Sequence, residues 1–300
     1  MSIPFPANAP RSRIADAGPW RAALRRLRGN RTSMISLGVL VLLVLAALFA
    51  PVLAPYGPNA QPDIVGLVRL RPSFAHPFGT DIFSRDVLSR VIYGSRISLG
   101  VATLAILLAM SVGTAYGAIA GFAGGVVDAI MMRIIDAMLA VPRILILLLA
   151  LALSGGISLP MLVVVLGLTG WFGTSRLVRE RVRALSRQDF ATAAVALGAR
   201  DARVLWRHVL PNALSPVIVA ATLGIGNVIV LEAALSYLGI GVRPPHASWG
   251  NIIQDGADHI SSAWWIALFP GLAMLVTVIA FNLLGDGLRD ALDPRDDGRP

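Results

Sequence analysis

The chain contains no cysteine and no lysine, so all 26 of its basic residues are arginine. Without cysteine there is no disulfide framework, no thiolate nucleophile and no cysteine metal site. Without lysine there is no P-loop, because that loop needs its Lys to reach the nucleotide phosphates. Histidine is scarce too: the four present show neither HxxxH nor HExxH spacing. His76 and Asp81 are two ligand types close in sequence, but with no third nearby they read as loop-ordering residues, not a metal site. No catalytic constellation emerges. The chain reads as a non-enzyme that binds no cofactor or metal of its own.

Apolar sequence fills the space instead. Of 300 residues 56% are hydrophobic and only 14% charged, and the mean hydropathy of +0.72 is that of a polytopic membrane protein. Apolar runs fall at 34–54, 97–122, 126–153, 159–172, 213–231 and 264–284, most of them near the ~20 residues that a span requires. The first is too long for the core of a signal peptide and reads as a first transmembrane helix. The expected fold is all-α and polytopic, with six transmembrane helices and both termini cytoplasmic. The expected division is a basic cytoplasmic segment at 1–33, a first span at 34–54 and an external loop at 55–95. A five-helix transmembrane domain at 96–285 follows, with a cytoplasmic loop at 176–212, and then a tail at 286–300. Most of the arginines fall in the segments assigned to the cytoplasm, as the positive-inside rule asks. Arg69, Arg71, Arg85, Arg90 and Arg96 fall on the other side. The formal charge of +9 is therefore a topology signal, not a nucleic-acid surface. Residues 20–31 read equally as a basic interfacial helix or a disordered basic tail.

Several residues inside the spans stand out. Gly113, Gly117 and Gly121 form a doubled small-xxx-small motif, suited to close helix packing within the chain or, less so, to a subunit interface. The third run carries Asp128, Arg133, Asp136 and Arg143, and ions at membrane depth usually face a bundle interior or a wet cavity. Arg133 and Asp136 are i, i+3 neighbours and candidates to pair. Arg143 lies too far along the axis to reach Asp136, so it lines a pathway or pairs with another helix. Pro142 beside it predicts a kink. Glu232 is a further charge near the outer end of the fifth run.

The longest Arg-rich interruption runs from Ser186 to Pro211. Phe190, Ala193, Ala194 and Leu197 fall at i, i+3, i+4 and i+7, one face of a short helix. Ser186 followed by Asp189 suggests a capping-box start, Gly198 a left-handed end, and Asp201 the cap of a second helix. Ala193-Ala194, Gly198 and His208-Val209-Leu210-Pro211 stand at the spacing of the cytoplasmic "EAA" loop, and this stretch resembles that loop of ABC importer permeases. Thr192 stands where that family has Glu, and His208 where Ile is usual.

Other segments resemble the dipeptide/oligopeptide/nickel branch of the same family. They include Gly79-Thr80-Asp81, Arg85-Asp86 and Ser89-Arg90 before the second run, and Gly125, Asp128, Met132-Arg133, Asp136 and Pro142 in the third. Pro244-Pro245 and Trp249-Gly250 in the second external loop, and the tail from Gly285 to Pro294, resemble its "C"-type subunit. The resemblance implies a type I (MetI-like) importer fold in a bacterial cytoplasmic membrane. It implies a second permease subunit, one or two ATPase subunits carrying ATP and Mg²⁺, and an external substrate-binding protein. In that frame Phe190, Thr192, Ala193, Ala194, Leu197, Gly198 and Pro211 couple to the ATPase, and Pro245, Trp249 and Gly250 face the binding protein. Asp136, Pro142, Arg143 and Glu232 are candidates for the substrate pathway. The implied cargo is a dipeptide or oligopeptide, with a nickel chelate, glutathione or another small solute as the alternative. A secondary transporter is expected to show internal repeats around interrupted helices, and six runs without an evident repeat argue against one.

Because the chain lacks cysteine, its topology is testable by single substitution. In intact cells an impermeant maleimide should label the His246→Cys variant and spare the Arg183→Cys variant. Labelling of the second alone would contradict the expected topology.

Overall fold

An apolar segment in hydrocarbon is left with the helix, which pairs its own backbone N–H and C=O groups. The computed structural model describes residues 19–153 and 158–292, and the regular elements among them are all helical. In order they are α1 (Pro19–Gly29), α2 (Arg31–Leu48), α3 (Ala50–Leu53), α4 (Val87–Ala123), α5 (Gly125–Leu139) and α6 (Arg143–Leu153). After these come α7 (Leu159–Leu168), α8 (Trp171–Leu185), α9 (Asp189–Ala196) and α10 (Asp201–Arg203). A π-helical turn at Val204–Val209 then leads into α11 (Leu210–Tyr237), α12 (Trp249–Ala257), α13 (Ile260–Ala263) and α14 (Trp265–Leu292).

Four helical stretches are long and apolar enough to cross a membrane: Arg31–Leu48, Val87–Ala123, Asp201–Tyr237 and Trp265–Leu292. The count rises to six if two bent pairs each make one span. One pair is α5 with α6, bent by 82°; the other is α7 with α8, bent by 41°. The kink expected at Pro142 is thus a break. Pro142 has no N–H to donate and disfavours helical geometry at Val141, so α5 stops at Leu139 and α6 starts afresh at Arg143.

Boundaries shift from the apolar runs for local reasons. Of the two readings of residues 20–31 the helical one holds, and Asn30 then caps α2 by accepting the Ser33 N–H at 3.2 Å. The second span begins well before residue 97, because Asp86 caps α4 by accepting the Ser89 N–H at 2.8 Å. Its first turns are polar in sequence yet buried: Ser89 and Arg90 are enclosed. The basic residues Arg11, Arg13, Arg295 and Arg299 lie outside the described residues.

The glycines of α4 settle their role. A Cβ at Gly113 would stand 2.8 Å from the Trp171 carbonyl, and one at Gly121 would stand 2.5 Å from the Arg179 carbonyl. One at Gly117 would overlap the Ser175 carbonyl. The stripe is therefore a seam within the chain, seating α8 directly on α4. Two apolar cores flank it. One holds Leu99, Ala102, Leu147, Leu166, Ile229, Trp249 and Trp265; the other holds Ala118, Val178, Val182, Ala191, Val204 and Val209.

Gly117→Ala should destabilise the protein by about 1–3 kcal/mol, the usual cost of overpacking. Gly173→Ala, which meets open space in the same α4–α8 unit, should cost nothing. Thermal unfolding of the purified variants in detergent reads the difference, and equal effects would contradict the seam.

Candidate functional site

The short helix α9 is built by its ends and by one anchor. Ser186 does not cap it. That hydroxyl bonds back to the Val182 carbonyl at 2.7 Å, closing α8, and Gln188 takes the N-cap position without a side-chain bond. The far end is as expected: Gly198 has φ +82°, the Gly198 N–H bonds the Val195 carbonyl at 2.9 Å, and the Ala199 N–H bonds the Ala194 carbonyl at 3.1 Å. Those two bonds are a Schellman ending. Asp201 begins the next turn instead of capping it, since Arg200 is the N-cap.

The apolar stripe is rotated from its sequence reading. Ala191 is 2% exposed and locks α9 to the second core, with half-buried Ala194 beside it. Phe190, Thr192, Ala193, Val195 and Leu197 point away, and Leu197 is 89% exposed. The helix thus presents a shallow apolar face on a rigid mount. Pro211 is the second residue of α11. Having no N–H, it leaves the Arg207 carbonyl without its helical donor, and the preceding turn widens to π geometry.

The charges of the third apolar run pair differently from the expected i, i+3 arrangement. Asp136 bonds Arg176 of α8, not Arg133, and both side chains of that pair are about half exposed. Asp128 receives a two-pronged grip from Arg179, with both N···O distances 2.6 Å. α5 is thereby clamped along α8 by two Asp–Arg pairs. Sequence spacing within one run did not reveal them because the partners lie on another helix.

Among the described residues Arg143 meets no acid. Its Nη2 donates to the Leu166 carbonyl at 2.9 Å, and its Nε lies 3.4 Å from the Thr169 hydroxyl. Leu166 is in the last turn of α7, where carbonyls lack intrahelical donors. A cation there also suits the helix dipole. Arg143 therefore bolts the break at Pro142 to the break at Gly170.

At the opposite end of the spans, Glu232 is wholly enclosed. This corrects its reading as a pathway residue, since a side chain with no exposed surface lines no open wall of this chain. Ser98 donates to Oε2 at 3.0 Å and Ser236 to Oε1 at 2.7 Å. Trp249 and Gly250 are buried as well: the Trp249 indole donates to the Val91 carbonyl at 3.1 Å. Of the three residues expected to face an external partner only Pro245 is exposed, in a tip with Arg243, Pro244 and His246. This tip and the start of α7 line a cavity of about 400 Å³. Nearby, Asp81 and Asp255 bind Arg85 and Arg90 at 2.5–2.8 Å, ordering the loop before α4 against α12. Burial, and next Arg90, pull the Arg85 guanidinium below its ordinary range, with Asp81 and Asp255 opposing. His76 bonds Asp86 at 2.9 Å and is thus held in the same loop, and no metal-ligating cluster occurs among the described residues.

The chain as a whole is similar to known proteins. Residues 113–296 match the family described as binding-protein-dependent transport system inner membrane component. Residues 18–72 match the N-terminal TM domain of oligopeptide transport permease C. The chain is 39% identical to the dipeptide transport system permease protein DppC of Alkalihalophilus pseudofirmus, over 95% of this chain and 93% of that one. It is 43% identical to a putative peptide transport system permease protein of Brucella abortus, over 90% of each. It is 39% identical to the oligopeptide transport system permease protein OppC of Bacillus subtilis, over 92% of this chain and 90% of that one.

Arg143→Met should cost about 1–3 kcal/mol, the penalty for taking the charged donor from the Leu166 carbonyl and leaving it only the Thr169 hydroxyl at 3.2 Å. Arg143→Lys, with a single point donor, should recover part of it. Unchanged unfolding temperature for the Met variant would contradict the capping role.

Proposed function

The chain belongs to the binding-protein-dependent transport system inner membrane component family, and from that premise we propose that it is one of two transmembrane subunits of an ATP-driven importer of dipeptides and oligopeptides. Near end-to-end similarity to peptide permeases supports the cargo class. The observation that carries the mechanism is α9, an exposed apolar face on a mount fixed by Ala191.

In this reading α9 is the coupling helix and seats in a cleft of a separate ATPase subunit. ATP and Mg²⁺ sit on that subunit, since this chain offers no lysine for a P-loop. Closure of two such subunits draws the two coupling helices together. Ala191 passes the displacement to the core shared by α8 and α11, and the glycine seam passes it from α8 to α4. The helices then tilt as stiff bodies and open the pathway at the other end.

The termini and α9 are cytoplasmic in a bacterial inner membrane, and the Arg243–His246 tip faces the external binding protein. The half-exposed Asp136–Arg176 pair, Pro142 and Arg143 stand along the pathway shared with the partner permease. A water-filled wall is the setting in which exposed ions at membrane depth are tolerated.

Ala193→Glu tests the coupling assignment without disturbing the mount, because Ala193 is exposed. Dipeptide uptake in whole cells should fall at least tenfold while the protein remains inserted at normal levels. Normal uptake by a well-expressed variant would sink it.

A further inference from the structure

Glu232 is a buried carboxylate that no step above uses. Among the described residues it has no ion-pair partner. Enclosing an acid without a cation is costly, and an apolar side chain would fill the same space more cheaply. What the carboxylate does is organise hydroxyls. Ser98 of α4 donates to one oxygen while accepting the Trp249 N–H at 3.2 Å. Ser236 of α11 donates to the other while accepting the Val242 N–H at 2.9 Å. Ser248 is the N-cap of α12, in a capping box with Asn251.

Each relay has a direction. A serine has one proton to give, and the carboxylate takes it, which leaves the serine lone pairs to receive a backbone N–H. Remove the acceptor and the hydroxyls lose the partner that orients them toward the loop. The relays reach both ends of one segment: Val242 at the start of the exposed tip, and Trp249 at the start of α12. Asn251 closes the segment on itself, donating to the Val242 carbonyl at 3.3 Å and the His246 carbonyl at 2.8 Å. There is no slack around this joint. A Cβ on Gly250 would stand 2.5 Å from the Ala233 carbonyl, and one on Gly241 would overlap the Ser236 hydroxyl.

We propose that Glu232 is a positioning residue that makes the tip at 242–248, α12 and the outer ends of α4 and α11 move as one body. The inference rests on the importer reading and adds to it. Docking of the binding protein on the tip is transmitted to the two spans through the Glu232 relays, not through apolar contact alone. In the other direction, a shift of α4 against α11 re-aims the tip.

The test uses the complete importer, reconstituted in nanodiscs with its partner permease and ATPase subunits. ATP hydrolysis is measured with and without peptide-loaded binding protein, and hydrogen exchange is followed at the amides of Val242 and Trp249. Wild-type complex must first show stimulation; its absence would count against the importer reading itself. In Glu232→Ala, basal hydrolysis should persist, stimulation should fall at least tenfold, and both amides should exchange faster. Glu232→Gln keeps one acceptor and should lie between. A purely structural role would reduce the amount of assembled complex and leave the ratio of stimulated to basal hydrolysis unchanged. Wild-type stimulation in Glu232→Ala overturns the proposal. If that variant fails to assemble, Ser98→Ala and Ser236→Ala each cut one relay. Reduced stimulation in either supports the proposal, and wild-type stimulation in both overturns it.

Discussion

In hydrocarbon every backbone N–H and C=O must find a partner inside the protein, and the rest of this structure follows from how that demand is met where helices break. The α5/α6 and α7/α8 pairs each interrupt their ladders between apolar helices. Thr169 turns its hydroxyl back to the Val165 carbonyl at 2.8 Å, and Arg143 supplies a donor to the Leu166 carbonyl. One guanidinium so placed serves two breaks at once. Arg143 is therefore both an ion set between two apolar helix pairs and a structural donor, and the two roles need not compete.

Around those breaks the chain alternates stiff and yielding parts. The stiff parts are the α4–α8 glycine seam and the Asp–Arg clamps from α5 to α8, which allow no sliding without steric overlap or an orphaned charge. α9 is fastened to this unit by Ala191 and Ala194 at one end, and the Glu232 joint fastens the outer loop at the other. A transporter needs both kinds of part, because an element that bends everywhere passes on no displacement.

Much of this was legible in the sequence. Period, glycine spacing and the Gly198 stop located α9 and its ending, since those are local signals with a local cause. Gly113, Gly117 and Gly121 announced a close approach, though not that α8 was the neighbour. What escaped was non-local. Asp136 reached past Arg133 to Arg176, Ser186 preferred the carbonyl behind it to the helix ahead, and Trp249 was buried though its surroundings read as an exposed loop. Ser98 and Ser236 gave one faint signal: Glu232 and Ser236 are i, i+4 neighbours in an apolar run. The size of the Pro142 bend was beyond a single-sequence reading, because proline fixes where a helix stops and its neighbours fix the angle.

The central claim is that the outward face of α9 seats on a separate ATPase subunit. A photoreactive amino acid at Leu197, 89% exposed, and another at Ala191, 2% exposed, test it most directly in intact membranes. The account predicts a crosslink from position 197 to an ATPase subunit and none from position 191. Crosslinks from position 197 to lipid alone, with the ATPase subunits co-expressed, would contradict it.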